Sequence, residues 1–390
     1  MRERWEYKKL GEVASSELGK TLNKSKDTGK LYPYICAVNV LWDMIDLTIL
    51  KHAFFEKEEI DRYSVRKGDL LVCEGGDTGR SAIWEKEEPV LYQNALHRVR
   101  FTTEMEARFA MYCLWHLKNN GQIDQKYSKG VTIKHLVKSS LLSIELPVPP
   151  LSTQLSIVSE LDKINELIRL KKEQLKDYDN LAQSIFYEMF GDPVENEKGW
   201  EVKKLGEVAM IKTGPFGSML HKEDYITGGI PLINPMHIQN FKAVPDKDFT
   251  ISKEKAAELC NYQLKINDVI FARRGDIGRC AVISDKEAGC LCGTGSLFVR
   301  FERKLSSIYT MYVVRTTSFI KELVSKAKGA TMLNLNSSTM ENLRFPLPPL
   351  PLQQLFAQRI ELIEKQKAEV QRTIKALETL LASRMQYWFD

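Results

Sequence analysis

Apolar residues recur at alternating spacings of four and three positions in two long stretches, which follow residues 150 and 349. The first stretch carries Ile157, Leu161, Ile164, Ile168, Leu175, Tyr178, Ala182, Ile185 and Met189, with Lys171 at one apolar position. The second carries Phe356, Ile360, Ile363, Val370, Ile374, Leu377, Leu381 and Trp388, with Lys367 and Arg384 as exceptions. Heptad spacing of this length predicts two coiled-coil helices. We expect the two to pair with each other, although a homodimeric coil would satisfy the same pattern.

The remaining sequence alternates short β-rich runs with Gly-rich turns and helical stretches. Residues 69–73, 268–272 and 297–301 read as strands, whereas residues 107–118 and 307–324 read as helices. This alternation predicts a mixed α/β (α+β) fold with a twisted, largely antiparallel sheet.

The chain is an internal repeat. Residues 5–14 return at 200–209 with nine of ten positions identical. Further matches keep the same order and pair residues 68–71 with 267–270, 76–80 with 275–279, 130–132 with 329–331, and 146–151 with 345–350. Between these anchors the copies diverge, and residues 41–46 have no clear sequence counterpart near 239–242. The two copies therefore share a framework but differ in the segments that it carries.

A Pro-rich anchor precedes each long helix, because consecutive prolines favour an extended lead-in to a first helical turn. A chain of 390 residues also fits two domains of common size. We predict a first globular domain at residues 1–150, a central helix at 151–192, a second globular domain at 193–349 and a C-terminal helix at 350–390.

Composition narrows the class only slightly. The 43% of hydrophobic and 27% of charged residues are ordinary for globular proteins, and the net charge of +5 is compatible with nucleic acid without proving it. The first residues are charged where a signal peptide is apolar, and no run approaches the ~18 apolar residues of a membrane span, so we expect a cytoplasmic protein without membrane contact. Seven cysteines without a CxxC pair predict free, mostly buried thiols.

Three segments resemble catalytic motifs, and the repeat tests each of them. Residues 14–21 fit a relaxed phosphate loop, but the second copy has Gly214, Pro215 and Phe216 where the lysine and threonine should be. Residues 233–237 lack the second proline and the aromatic residue of the adenine methyltransferase loop. Residues 291–295 resemble a methyl-donor glycine loop, yet residues 92–96 of the first copy contain no glycine. We therefore predict no catalytic, metal-binding or cofactor-binding residues in this chain.

Three pairs of basic, Gly-rich loops occur at corresponding places in the two copies. Lysine suits phosphate contacts and arginine can donate two hydrogen bonds to guanine in the major groove. The chain is therefore expected to recognise DNA, although each lysine could equally be solvated surface, and Arg80 and Arg279 could each pair with a carboxylate in a turn. The candidate DNA-binding residues are Lys20, Lys24, Lys26, Arg80, Lys129, Lys212, Lys222, Arg273, Arg274, Arg279, Lys326 and Lys328.

These motifs together resemble the specificity subunit of type I restriction-modification enzymes over essentially the whole chain. The resemblance rests on the doubled Trp-x-x-x-x-Leu-Gly-Glu opening, the Gly-Asp-Leu-Leu run with its Gly-Arg loop, and the Pro-x-Pro-Pro-Leu entry with Gln154 or Gln353. It implies two target-recognition domains, held in inverted orientation by an antiparallel coiled coil, that each read half of a split double-stranded DNA target. It also implies partners, namely two methyltransferase subunits on the helical regions and motor-nuclease subunits. S-adenosylmethionine, ATP and Mg²⁺ would then be used by the partner subunits only.

Aromatic residues cluster at the ends of both long helices and are candidates for the methyltransferase contact, or alternatively for capping the coil. They are Phe186, Tyr187, Phe190, Tyr387, Trp388 and Phe389. Two other function classes stay open at this point: a coiled-coil scaffold that does not read DNA, and a stand-alone methyltransferase or nuclease.

Overall fold

The computed structural model describes residues 5–22, 29–130, 134–275, 277–301, 305–327 and 334–390, with the side chain of residue 218 left aside. The chain forms two compact units. Unit 1 comprises Met1–Glu173 and Gln371–Asp390, and unit 2 comprises Gln174–Val370. Each unit thus contains one globular part together with portions of both long helices, which differs from the contiguous division drawn from the sequence.

The globular part of unit 1 is built from twelve described strands and four described helices. The strands are β1 (Tyr7–Lys9), β2 (Ala14–Leu18), β3 (Lys30–Ile35), β4 (Val40–Leu41), β5 (Met44–Ile45), β6 (Lys51–Phe55), β7 (Ser64–Val65), β8 (Leu70–Cys73), β9 (Ser81–Ile83), β10 (Val90–Tyr92), β11 (Leu96–Phe101) and β12 (Glu145–Pro147). The helices are α1 (Leu10–Val13), α2 (Lys57–Arg62), α3 (Ala107–Asn119) and α4 (Lys138–Leu142), and the first long helix is α5 (Leu151–Phe190).

Unit 2 repeats this plan. Its strands are β13 (Glu201–Lys204), β14 (Ala209–Thr213), β15 (Tyr225–Ile226), β16 (Ile230–Ile233), β17 (Ile238–Gln239), β18 (Lys242–Ala243), β19 (Thr250–Ile251), β20 (Val269–Ala272), β21 (Cys280–Val282), β22 (Leu291–Cys292), β23 (Ser296–Phe301) and β24 (Arg344–Leu347). Its helices are α6 (Lys253–Glu258), α7 (Ser307–Arg315), α8 (Thr317–Lys326) and α9 (Ser337–Glu341), and the second long helix is α10 (Leu350–Phe389).

The sheets of the two units correspond strand for strand in their central part. One four-stranded sheet has the order β2-β11-β8-β9 in unit 1 and β14-β23-β20-β21 in unit 2. A second sheet has the order β6-β3-β10-β7 in unit 1 and β15-β19-β16-β22 in unit 2. Among the described strands, the pairs β3–β10 and β16–β22 are parallel and the other pairs are antiparallel. The predicted α+β class with largely antiparallel sheets is therefore confirmed.

The motifs shared by the two copies touch each other in the fold. The opening motif supplies β1, which pairs with β12 of the Pro-rich anchor, and β13 pairs with β24 in the same way. The amide of Leu10 donates to the Ile144 carbonyl at 2.8 Å, and Leu205 donates to Leu343 at 2.8 Å. Both leucines are fully buried. The shared motifs thus support each other within each unit.

A buried glutamine joins each long helix to its globular part. The Oε1 of Gln154 accepts from the Glu106 amide at 2.8 Å, and its Nε2 donates to the Glu104 and Pro149 carbonyls. The Oε1 of Gln353 accepts from the Ser306 amide at 2.7 Å. Glu106 and Ser306 are the N-cap residues of α3 and α7. The glutamine of the Pro-Pro-Leu motif thus positions the long helix of each copy against a shorter one, α5 against α3 and α10 against α7.

The structure reveals one correspondence that the sequence comparison missed. Strands β4 and β5 form a hairpin in unit 1, and β17 and β18 form the equivalent hairpin in unit 2, each directly after a short 3₁₀ turn. Trp42 at the first tip stacks on Trp115 of α3 with ring centroids 5.3 Å apart. Phe241 at the second tip lies under Arg315 of α7 at 4.0 Å. The two hairpins therefore share their geometry but not their sequence. A different aromatic contact anchors each tip.

The stretch 307–324 is helical, as the sequence predicts, but it forms two helices rather than one. Helix α7 ends at Arg315 and α8 starts at Thr317. Thr316 between them is extended, with φ −69° and ψ 142°, and its hydroxyl accepts from the Phe319 amide as an N-cap. A capping threonine therefore starts a new helix where apolar periodicity alone shows no break.

Within each unit, the portions of α5 and α10 pack as antiparallel neighbours. In unit 1 Glu160 contacts Arg384 and Lys172 contacts Glu378. In unit 2 the Lys367 ammonium lies 2.8 Å from Asp179. The pairing is thus intramolecular in both units, and Lys367 and Arg384, which occupy apolar heptad positions, form ion pairs with the facing helix.

All seven cysteines are free thiols and all but Cys260 are buried, as the sequence predicts. Of the helices that the structure describes, none is both long and apolar enough to cross a membrane.

Candidate nucleic-acid interface

Three loops that the sequence identified separately meet in unit 1. They lie at one end of the strands of the β2-β11-β8-β9 sheet, where β2 and β8 end and β11 begins. The amide of Asn94 donates to the Lys20 carbonyl at 2.9 Å, and the amide of Glu74 donates to Ala95 at 2.9 Å. Gly75 in turn forms an antiparallel bridge with His135. The loop at residues 93–95 thus links the first basic loop to the second, and the second contacts the third.

Unit 2 has the same arrangement. Gly214 donates to the Ser296 carbonyl at 2.9 Å, and Arg273 donates to Gly295 at 3.0 Å. Arg274 bridges Asn334. We call these surfaces the loop edges of the units. They comprise residues 19–22, 74–76, 93–95, 129–130 and 134–136 in unit 1, and residues 213–217, 273–275, 293–295 and 334–335 in unit 2.

In each unit a glycine lets the first basic loop approach the connecting loop, which is residues 93–95 in unit 1 and residues 293–295 in unit 2. A Cβ atom on Gly19 would lie 2.3 Å from the Gln93 carbonyl carbon, and one on Gly214 would lie 2.0 Å from the Gly293 oxygen. No side chain fits at either place, because real Cβ atoms do not approach backbone so closely. The shared glycine therefore keeps the loop edge continuous.

Several predicted DNA contacts are held inside the protein instead. The Lys20 ammonium pairs with Glu59, donates to the Phe54 carbonyl at 2.9 Å and lies 4.7 Å from the centre of the Phe55 ring. Arg80 donates to the Ala37 carbonyl at 2.9 Å. The charged groups of both side chains therefore bind neighbouring residues, and the Arg80 guanidinium also lies 3.8 Å from Asp77, which is the carboxylate pairing in a turn that the sequence left open.

Other predicted contacts are partly engaged. The Nε of Arg273 donates to the Leu335 carbonyl at 3.0 Å, and burial, together with the charge of Arg274, lowers the pKa of Arg273. Lys212 lies 4.8 Å over the Tyr262 ring, and Lys326 pairs with Glu322. These groups hold local structure, so that they are weaker candidates than an unengaged cation.

The exposed candidates are fewer. Lys129, Lys222 and Arg274 are exposed, and Arg279 is half-buried beside Gly275. Lys24, Lys26 and Lys328 lie outside the described residues. Lys129 and Arg274 belong to the loop edges, whereas Lys222 begins a 3₁₀ turn a few residues beyond one.

Sequence reasoning missed the residues that connect the loops. Residues 93–95 and 293–295 were set aside because only the second copy contains glycines there, and His135 and Asn334 were not singled out. The repeat contained a signal that could have found them, since residues 93–95 correspond to 293–295, and His135 corresponds to Asn334, between the shared anchors. Positions that match in place but differ in residue type were that signal.

The catalytic look-alikes have structural roles. Ala14–Leu18 of the apparent phosphate loop is strand β2, and Leu291–Cys292 is strand β22. His237 closes the Asn-Pro segment, because its Nδ1 lies 3.1 Å from the Asn234 amide and its side chain is buried.

The sequence pattern of the type I restriction modification DNA specificity domain matches residues 2–177 and 197–379. The chain belongs to this specificity family. The MjaIX specificity subunit of Methanocaldococcus jannaschii is 24% identical to it, across 96% of this chain and 90% of the relative. The EcoBI specificity subunit of Escherichia coli is 22% identical across 77% of this chain and 67% of the relative.

Solved structures support the fold of this specificity-family member. The S subunit of a type I restriction-modification system from M. genitalium matches with a TM-score of 0.55 and 14% identity, covering 99% of this chain and 96% of that one. A chain from a structural study of type I restriction-modification complex assembly matches with a TM-score of 0.61 and 19% identity, covering 98% and 96%. The predicted fold class and the predicted class of function, a DNA-sequence specificity subunit, are confirmed.

Three of the six candidate aromatic residues at the helix ends of this specificity subunit belong to the cores of its units. Phe186 and Phe190 are buried in unit 2 against Phe356. In unit 1 Phe389 is buried against Phe109. These three phenylalanines cannot form a partner surface, because they are covered, and the capping alternative describes them better. Among the six candidates only Tyr387 is exposed, while Tyr187 and Trp388 are half-buried.

Proposed function

We propose that each unit reads one half of a bipartite DNA target through its loop edge in the major groove. The observation that supports this is the contrast between a framework that is the same in both units and loop edges that differ in side chains. A scaffold has no need of two different surfaces on one framework, whereas a reader of two unlike half-sites requires them.

The basic residues near the loop edges fit this role. Lys129 and Lys222 are exposed and can contact phosphates, which fix the position of a protein on DNA without reading its sequence. The base-reading groups are then expected among the side chains that differ between the loop edges.

We further propose that the chain is non-catalytic and that methylation and cleavage belong to partner subunits. The two long helices would dock two methyltransferase subunits, which would use S-adenosylmethionine, and motor-nuclease subunits would use ATP and Mg²⁺. Exposed leucines on both helices, Leu155 and Leu362 among them, and the exposed Tyr387 offer apolar contact area for such partners.

A domain exchange tests the independent reading of two half-sites. Residues 1–146 are replaced by the matching segment of another specificity subunit, and adenine methylation is mapped in cells that express the hybrid with the methyltransferase. One half of the methylated sequence should change and the other should stay. A change in both halves would contradict independent reading, and methylation without any sequence preference would contradict the recognition role itself.

The separation of chemistry is tested with the purified chain. With a methyl donor or a divalent metal ion, the chain alone should neither methylate nor cut DNA, whereas adding the methyltransferase subunit should give site-specific methylation. Activity of the chain alone would favour the stand-alone enzyme.

A further inference from the structure

One backbone bridge occupies the same place in both loop edges but carries different side chains. Gly75 pairs with His135 in unit 1, and Arg274 pairs with Asn334 in unit 2. The neighbouring hydrogen bonds match as well, since Leu136 donates to the Glu74 carbonyl at 2.7 Å and Leu335 to the Arg273 carbonyl at 2.9 Å. The backbone is therefore held alike in both units, and only the side chains at this bridge vary.

In unit 1 the bridge displays an imidazole. A Cβ atom on Gly75 would lie 3.3 Å from the Nδ1 of His135, so that the ring lies over the glycine. His135 itself is exposed. A neutral imidazole offers one donor and one acceptor.

In unit 2 the bridge carries an arginine and an asparagine in place of the glycine and the histidine. Arg274 is exposed, and its guanidinium has no hydrogen bond or ion pair within the described part of the chain. The Oδ1 of Asn334 is buried and has no hydrogen-bond partner among the described residues. The Nε of the neighbouring Arg273 donates to the Leu335 carbonyl and so holds the two loops together. One arginine thus fixes the backbone while the next keeps its donors available.

We propose that this bridge is the base-reading position of each unit, and that Arg274 reads a guanine in the half-site of unit 2. An arginine fork donates to the O6 and N7 of guanine, which is the commonest specific contact in the major groove. A backbone bridge on the arginine itself reduces the freedom that binding would otherwise remove. His135 presents a different donor and acceptor pattern, so that the two units select different base pairs. The inference rests on the proposed DNA-reading function.

The test uses the full chain bound to its methyltransferase subunits and a DNA library with both half-sites randomised, at one stated salt concentration. Three variants are compared with the native chain. R274K keeps the charge but lacks the planar fork, the double variant R274G/N334H installs the side chains of unit 1, and K286Q removes an exposed lysine beyond the far end of β21 as the control.

The native complex should prefer guanine at one position of one half-site, and R274K should reduce that preference by about 5- to 100-fold. Preferences at the other half-site should stay unchanged. R274G/N334H should alter the same position, and K286Q should alter none. Because R274K changes an exposed side chain without touching the backbone bridge, its melting temperature should match that of the native chain.

Three results would overturn the inference. Equal weakening on all sequences would make Arg274 a phosphate contact, and unchanged preferences would remove it from the interface. Preferences altered at both half-sites would show that the bridge does not act locally. If the native complex has no sequence preference at all, the proposed function fails first, and that outcome is distinct from the other three.

Discussion

At the scale of single residues, the side chains that are the same in both copies form the framework. Side chains that differ between the copies lie at the loop edges. Arg100 binds Asp69 through two nitrogens in unit 1, and Arg300 binds Asp268 in the same way in unit 2. Both aspartates are almost fully buried. Identical ion pairs at matching places, on buried aspartates, assign these residues to the shared framework of the two units.

The buried glutamine of the second copy gives a stability prediction. Replacing Gln353 with alanine leaves the Ser306 amide and the Pro348 carbonyl without their partner. Each unsatisfied buried group costs about 1–3 kcal/mol, so the loss of two partners by Gln353→Ala should lower the free energy of unfolding by about 2–6 kcal/mol. Urea unfolding measures it. The exposed Gln358→Ala on the same helix is the control, and equal losses in both variants would contradict the role of the glutamine.

Glu160 gives a pH prediction. The hydrogen bond from Arg384, assisted by the Trp388 indole, holds the pKa of Glu160 below its ordinary value of 4.5. A carboxyl group whose pKa is depressed in the folded state stabilises the fold at a pH above its ordinary pKa. This stabilisation is lost as the pH falls through the lowered pKa. Glu160→Gln should therefore lower the melting temperature at pH 7, and its difference from the native chain should shrink below about pH 4.

The control for this measurement is Glu188→Gln, an exposed position on the same helix. A melting-temperature difference for Glu160→Gln that stays constant between pH 7 and pH 3 would show that the carboxylate charge contributes nothing.

At the scale of elements, the heptad pattern identifies the long helices, and its exceptions Lys367 and Arg384 mark cross-helix ion pairs. Lys367 occupies an apolar heptad position with a side chain only 16% exposed. Its ammonium lies 2.8 Å from both Asp179 and Glu364. A polar residue at such a position commonly specifies the register of a coiled coil at a cost in stability.

This geometry predicts that Lys367→Met is neutral or stabilising by about 1 kcal/mol. Methionine fills the apolar position, and both carboxylates can reach water, so that no buried charge is left unpaired. Lys367→Ala should instead destabilise by about 1–2 kcal/mol through lost packing of the lysine stem. Thermal unfolding measures both, with the exposed Lys365→Ala as control. If Lys367→Met is as damaging as Lys367→Ala, the ion pair itself stabilises the helices.

At the scale of the whole molecule, the proposed function means that duplication gives one chain two DNA-reading units. The two loop edges are built on matching sheets by matching backbone bonds, so that under the proposed function one half-site can change independently as the side chains of one loop edge change. Each long helix of 40 residues is about 60 Å long at 1.5 Å per residue, compared with about 34 Å for one turn of DNA. We propose that the helices set the gap between the half-sites.

A matched insertion tests this proposal. Seven residues are added after Leu170 and seven after Ala376, so that the antiparallel helices lengthen together and keep their heptads. About 10 Å of added helix should lengthen the unread gap by roughly three base pairs while both half-sequences stay the same. Methylation mapping reads the gap directly. An unchanged gap would contradict the ruler, and a shuffled insertion without apolar heptad positions is the control for helix pairing.

The sequence by itself determined the repeat, the two long helices, the α+β class and the family. These features depend on local periodicity and on motifs that fold against each other, and both are visible along the chain. The helices begin at Leu151 and Leu350, directly after the prolines that predict their starts. Thr316, which divides α7 from α8, is a residue type that commonly caps helices. The apolar periodicity continues across it, so the sequence alone does not show the break.

Only the tertiary structure decided which charged residues are available. Lys20 pairs with Glu59, and Arg80 donates to Ala37, both far away in sequence, so no local pattern distinguishes them from the exposed Arg274. The phenylalanines at the helix ends were likewise indistinguishable from an exposed cluster until their partners were known. Burial and pairing are set by contacts between distant segments, and for that reason the interface could be located from the sequence only as a set of loops.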